Sequence, residues 1–164
     1  MLTIRLFTRV AIAAAALSLI VTSSGMSSAG AGANRCDVLT RREVQRAIGH
    51  PVTVAEAPSG VGGRCSFVVK GAPTDMVNVW VLDGDDAEAG FEVGKQIGGE
   101  DAVRVPKLGR DSVYIGDPLN TAYVLEDGTL VYLQYYVFSG DDSAKDIKRA
   151  VVTLTGQAHA RAQS

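Results

Sequence analysis

Two cysteines, two histidines and 6% aromatic residues are all that this 164-residue chain offers to thiol, imidazole or stacking chemistry. Each scarcity excludes something. The cysteines, Cys36 and Cys65, form no C-x-x-C, which argues against a dithiol redox centre. There is no G-x-S-x-G elbow and no H-E-x-x-H, so neither a serine-hydrolase frame nor a zinc-protease helix is written locally. Gly60, Gly62 and Gly63 lack the Gly-Lys-Ser/Thr ending of a phosphate loop and read as a flexible connection between strands. Basic residues are scattered, without aromatic interleaving. Nucleic-acid binding needs a concentrated positive surface and is disfavoured. The longest apolar run, Val10 to Val21, is about twelve residues, too short to cross ~30 Å of hydrocarbon comfortably. No stable membrane anchor is expected.

What is present begins with that short run. Arg5 and Arg9 precede it without an acid between them, and Ala31-Gly32-Ala33 follows it. Basic start, short apolar middle and small-residue exit make a secretory signal peptide over residues 1–33, with cleavage after Ala29 or Ala33. Residues 34–164 then form one domain, secreted to the extracellular space or held at the cell wall. The whole chain carries a formal charge of −2. Losing a leader with two arginines and no acid leaves the remainder more acidic.

In an oxidising compartment an even, well-separated cysteine pair reads as one disulfide, Cys36–Cys65. Closing a loop of about 30 residues stabilises a fold by about 3.6 kcal/mol in the chain-entropy model. Lipid attachment at Cys36 is disfavoured because Arg35, a bulky cation, stands where a small residue belongs.

Thr40-Arg41-Arg42-Glu43 is a capping box opening a helix with Val44, Ala47 and Ile48 on one stripe, stopped by Gly49 before His50-Pro51. Strands are predicted at Val52 to Ala57, Arg64 to Lys70 and Met76 to Asp83, with Gly71-Ala72-Pro73 as a turn. A second helix covers Ala87 to Ile97. Strands follow at Ser112 to Ile115, Thr121 to Glu126 and Leu130 to Phe138, the last two joined by an Asp127-Gly128 hairpin. A final helix starts at Asp141 or Asp142, buries Ile147, Val151, Leu154 and Ala158, and frays from about Gln157. The fold class is α+β: an antiparallel sheet of about six strands, ordered α-βββ-α-βββ-α, with helices on one face. A sequence echo, Glu43-Val44 with Ile48-Gly49 against Glu92-Val93 with Ile97-Gly98, raises the hypothesis of an internal duplication.

Period-two alternation assigns the faces. Cys65 shares a side with Phe67 and Val69, which fixes the helix-covered face, joined by Val77, Val79, Val81, Val131, Leu133, Tyr135 and Val137. The opposite face carries Asn78, Trp80 and Leu82 on one strand and Tyr132, Gln134, Tyr136 and Phe138 on another. An uncovered face of that composition is the candidate binding surface. Trp80, Tyr132 and Tyr136 supply contact area there, and Asn78 and Gln134 directional hydrogen bonds. The competing reading makes Trp80 and Tyr132 filler beneath another element.

Cys36-x-x-Leu39-Thr40-x-x-Glu43-Val44, Gly49, Cys65-x-Phe67, Val105-Pro106-x-Leu108-Gly109-x-Asp111-x-Val113-Tyr114 and Gly128-x-Leu130-Val131 together resemble an actinobacterial family of small secreted proteins and lipoproteins of unknown function. The resemblance runs from Cys36 to about Leu154. It implies an exported α+β domain, similar in layout to extracellular sensor-like domains, with a disulfide from the first helix region to an early strand. It brings no catalytic residues. The chain departs from the lipoprotein members in lacking a lipidation box.

Asp83-Gly84-Asp85-Asp86 with Glu88 lacks the spacing of a calcium loop and reads as an acidic helix start, as does Asp141-Asp142. Leu108-Gly109-Arg110-Asp111 reads as a turn. No metal or cofactor is expected. The leading expectation is a non-enzymatic binding domain for an unknown protein or small apolar ligand of the cell envelope. A small hydrolase assembled in space would need His50 beside an acid and a nucleophile such as Ser59, Ser66 or Ser112. An envelope structural protein or inhibitor is the third reading.

Overall fold

The computed structural model describes residues 35–56, 64–140 and 142–164. The predicted leader (residues 1–33), Ala57, Ser59, the Gly60–Gly63 connection and Asp141 lie outside them. A short 3-10 turn at Arg35–Val38 leads to α1 (Arg41–Ile48), β1 (Val52–Glu56), β2 (Arg64–Val69), β3 (Ala72–Asp83) and α2 (Asp85–Gly98). Then come β4 (Val103–Arg104), β5 (Asp111–Ile115), β6 (Thr121–Glu126), β7 (Thr129–Tyr136) and α3 (Ala144–Ala162). The class is α+β, as expected, with one antiparallel sheet of seven strands rather than six, ordered β1-β2-β3-β7-β6-β5-β4. The extra strand is the two-residue edge β4, too short to show alternation in sequence.

α1 is built as its sequence reads. Glu43 N–H donates to Thr40 Oγ1 at 3.3 Å and Thr40 N–H donates back to Glu43 Oε2 at 2.8 Å. Gly49 leaves the helix at φ 78°, and its N–H donates to Gln45 O. Arg161 of α3 adds a bidentate clamp on the same carboxylate and also donates to Val38 O at 3.1 Å, joining the two helix ends.

The Arg161 guanidinium, followed by the Thr40 hydrogen bonds, holds the Glu43 carboxyl down to about 2. The folded value lies below the unfolded one, so the stabilisation is complete above about pH 4.5 and is lost as pH falls towards 2. Arg161 is 40% exposed, so solvent screening limits the pair to about 1 kcal/mol. Arg161→Ala should therefore lower stability by about that amount at neutral pH and flatten its acid dependence between pH 4.5 and 2. Urea titrations at both pH values check this; an unchanged acid slope would contradict it.

Several boundaries differ from expectation for physical reasons. Lys70 and Gly71, the latter at φ 87°, make the turn after β2, so β3 begins at Ala72 and Pro73 sits in its first residues, away from the central ladder. β7 stops at Tyr136 because the Phe138 N–H donates to the buried carboxylate of Asp75 at 2.9 Å instead of to a neighbouring strand. α3 is capped by Ser143, whose hydroxyl accepts from Asp146 N–H at 3.2 Å. It does not fray at Gln157: it continues to Ala162, burying Ala158 and His159 and delivering Arg161 to Glu43.

One face of the sheet follows the predicted alternation. Phe67, Val77, Val79, Val81, Val131, Leu133 and Tyr135 are buried there against Val44 and Ile48 of α1 and Ile147, Val151 and Leu154 of α3. The Cys36–Cys65 disulfide pins the chain before α1 to β2 on this side, with Cα atoms 5.1 Å apart.

The helices are not all on that face. α2 packs on the opposite one, where Ala87 and Phe91 form a second small core with Leu130, joined by Leu82, Val113, Tyr123, Leu125 and Tyr132. Its glycines allow this approach. A Cβ at Gly94 would stand 2.7 Å from the Tyr123 ring, and one at Gly98 would stand 2.8 Å from Ile115. The Glu-Val/Ile-Gly echo does not extend to packing. Val44 and Ile48 of α1 are buried, whereas Val93 and Ile97 of α2 are 51% and 59% exposed.

Candidate functional site

The β3–β7 and β6–β7 registers set Trp80 opposite Tyr132 and Tyr132 opposite Tyr123 on the α2-bearing face. The rings stack: Trp80 and Tyr132 have centroids 4.4 Å apart and planes within 9°, and Tyr123 continues the stack at 5.3 Å. All three are part-buried. Burial, then the neighbouring Tyr123 and Tyr136, push the Tyr132 phenol up to about 12, and burial also raises Tyr123. Both remain neutral over the ordinary pH range.

This face is neither fully open nor fully covered. α2 roofs the Tyr123 end of the stack through Gly94. Beyond that roof the sheet carries Trp80, the outer part of Tyr132, then Met76 and Tyr136, paired across β3 and β7 and part-buried. Phe138 lies just past β7, 71% exposed, with its ring parallel to Tyr136 at 6.4 Å. Val93 and Ile97 of α2 are large apolar residues, 51% and 59% exposed. Four residues apart, they share one side of α2.

The predicted hydrogen-bonding pair is differently employed. Asn78 is 2% exposed and its Oδ1 accepts from Ser66 Oγ. Gln134 Nε2 donates to Leu119 O at 3.1 Å, bracing the Gly116–Asn120 loop. Both amides serve the interior, since the register puts Ser66, Asn78, Gln134 and Thr121 in one polar row across β2, β3, β7 and β6.

Asp75 is the residue that sequence reasoning missed. It is 3% exposed and accepts from Phe138 N–H, Ser139 N–H and, at 2.6 Å, Ser139 Oγ. Burial opposes its charge, but these bonds, with Thr74 Oγ1 adding another, outweigh it and hold the carboxyl below the usual range. A buried, ionised carboxylate thus fixes the backbone that presents an apolar ring to solvent. Nothing in the local sequence marks Asp75, because Phe138 and Ser139, which it holds, lie more than sixty residues away.

His50 does find an acid: its Nε2 lies 3.3 Å from Asp142 Oδ1, while Tyr135 O–H donates to Asp142 Oδ2 at 2.7 Å. Of the serine nucleophiles considered, Ser66 donates to Asn78, and Ser112 Oγ donates to Val105 O at 2.8 Å and Gly109 O at 3.0 Å. Ser59 lies outside the described residues. Burial and then the Asp142 hydrogen bond push Tyr135 far up, so it stays protonated. Asp85, Asp86 and Glu88 occupy the first turn of α2, and Arg110 pairs with Asp111 at 3.6 Å in the turn before β5. Among the described residues no helix is long and apolar enough to cross a membrane.

No family model matches the chain, and no curated protein matches it in sequence. A search of solved structures finds the crystal structure of a GTP binding regulator from Thermotoga maritima, 12% identical, covering 74% of this chain and 90% of that one, with a TM-score of 0.31. So low a score carries no inference about this chain.

Proposed function

We propose that this chain is an exported, non-enzymatic binding domain whose recognition surface is the aromatic strip left open beside α2. Trp80, Tyr132 and Tyr136 form its floor and Phe138 one end. The single observation that carries this reading is Phe138: a 71%-exposed phenylalanine whose backbone is anchored by the buried Asp75. Holding an apolar ring in water on a fixed backbone is unfavourable for a free domain and suited to one that closes over a partner.

The basic-apolar-small leader pattern and the internal disulfide support export. The occupant is an apolar segment of an envelope protein or a small apolar ligand. Large, rigid rings that lose little rotamer freedom suit such a partner.

Affinity capture from culture supernatant and cell wall tests this. The wild-type domain should retain a partner that Trp80→Ala/Tyr136→Ala and, separately, Phe138→Ala lose. The Phe138 variant should keep its melting temperature, because it gives up little buried area. Equal capture by all three proteins would refute the proposal, and so would unfolding of the Phe138 variant.

A further inference from the structure

α1 and α2, on opposite sides of the sheet, carry opposite charge. α2 carries Asp85, Asp86, Glu88 and Glu92 against one base, Lys95, while α1 on the other side carries Arg41, Arg42 and Arg46 against one acid, Glu43. Between α1 and α3 lies a hollow of about 220 Å³, lined by Glu43, Arg46, Ala47, Arg149, Ala150, Thr153 and Gln157. That is below the range of drug-sized pockets and suits a single small group. A second hollow of about 170 Å³ adjoins it, sharing Arg46, Ala47, Arg149 and Ala150.

The polar lining of the larger hollow is mostly donors. Arg149, Thr153 and Gln157 recur every four residues along α3 and face Arg46 across the groove. Ala47 and Ala150 keep the floor shallow and apolar. The one carboxylate in the lining, Glu43, is already committed to Arg161 and Thr40. Arg149 is only lightly engaged, in a solvent-exposed pair with Asp146 at 2.8 Å, and Asp146 also caps α3 through Ser143. Arg46 has no partner among the described residues. A guanidinium on each wall, with the Thr153 hydroxyl one turn from Arg149 on α3, fits a tetrahedral oxyanion, which accepts several charge-assisted hydrogen bonds at once.

We infer that the α1–α3 groove is a binding site for a phosphate group, held between Arg46 of α1 and Arg149 of α3, with the Thr153 hydroxyl donating from the α3 wall. It lies on the opposite side of the sheet from the aromatic strip and stands independently of the function proposed for that strip. Phosphate of this chemistry comes either as a free ion or ester or as the headgroup of an anionic lipid.

The test is a titration of the disulfide-bonded protein with inorganic phosphate, followed through the arginine Nε–Hε resonances. Saturating shifts are expected at Arg46 and Arg149. Affinity should fall about tenfold in Arg46→Gln and in Arg149→Gln, and be lost in the double variant. Arg104→Gln, on the far edge strand, should bind as the wild type does. A second arm compares vesicles of phosphatidylglycerol and phosphatidylcholine with pure phosphatidylcholine. Sedimentation with the anionic vesicles, lost in the double variant, assigns the site to a lipid headgroup. Phosphate binding without vesicle binding assigns it to a free phosphate. A flat phosphate titration, or equal binding by wild type and double variant, overturns the inference.

Discussion

Replacing Cys36 and Cys65 together by alanine should lower the unfolding free energy by about 3.6 kcal/mol, the chain-entropy value for a loop of this length. The bridge spans a sequence separation of 29 and ties the turn before α1 to β2, beside the main core. In its absence the unfolded chain regains that freedom, and the segment holding Val38 and Leu39, 3% and 2% exposed, loses its covalent hold. A domain of this size has only about 5–15 kcal/mol of stability in all. The double variant should therefore unfold at a much lower urea concentration, and wild type treated with reductant should follow it. Coincident midpoints for reduced and oxidised wild type would show that the bridge contributes nothing.

Gly94→Val should cost about 2 to 3 kcal/mol, although valine is the better helix residue at an exposed position. The conflict is steric. An added Cβ falls 2.7 to 2.9 Å from three atoms of the Tyr123 ring. That ring has little room to yield, because its other side stacks on Tyr132. α2 must lift, uncovering Phe91 and Leu130. Gly94→Ala should show the same sign with a smaller effect. Because the displaced stack includes Trp80, the sole tryptophan, its emission should shift in the folded variant. A wild-type midpoint and spectrum would mean that α2 does not rest on the stack.

These two variants mark what the sequence made legible. The disulfide, the capping box at Thr40 and Glu43, the αL glycine at position 49 and the alternation of Phe67, Val77, Val79 and Leu133 are local signals. Each follows from a few neighbouring residues and a known period. The side chosen by α2 was not local. Its exposed Val93 and Ile97 imitate the buried stripe of α1, while the contact is made by Ala87, Phe91, Gly94 and Gly98. Glycines carry no hydrophobic signal, so a helix docking through them is invisible to periodicity. The aromatic face was legible in composition, and its partial roofing was not. Asn78 and Gln134 looked like surface donors because strand alternation gives a side chain's face but not whether a neighbour, Ser66 or Leu119, already engages it. Asp75 and the Arg46–Arg149 groove depend on long-range pairing and left no trace in the linear pattern.

Trp80 fluorescence is the most direct probe of the recognition strip, because no other tryptophan contributes. In the free protein a soluble quencher should reach the part-exposed indole. Adding the envelope fraction that holds the partner should protect it, and the Phe138→Ala variant should show no protection. An indole already shielded in the free protein, or quenched equally with and without that fraction, would contradict a binding role for this face.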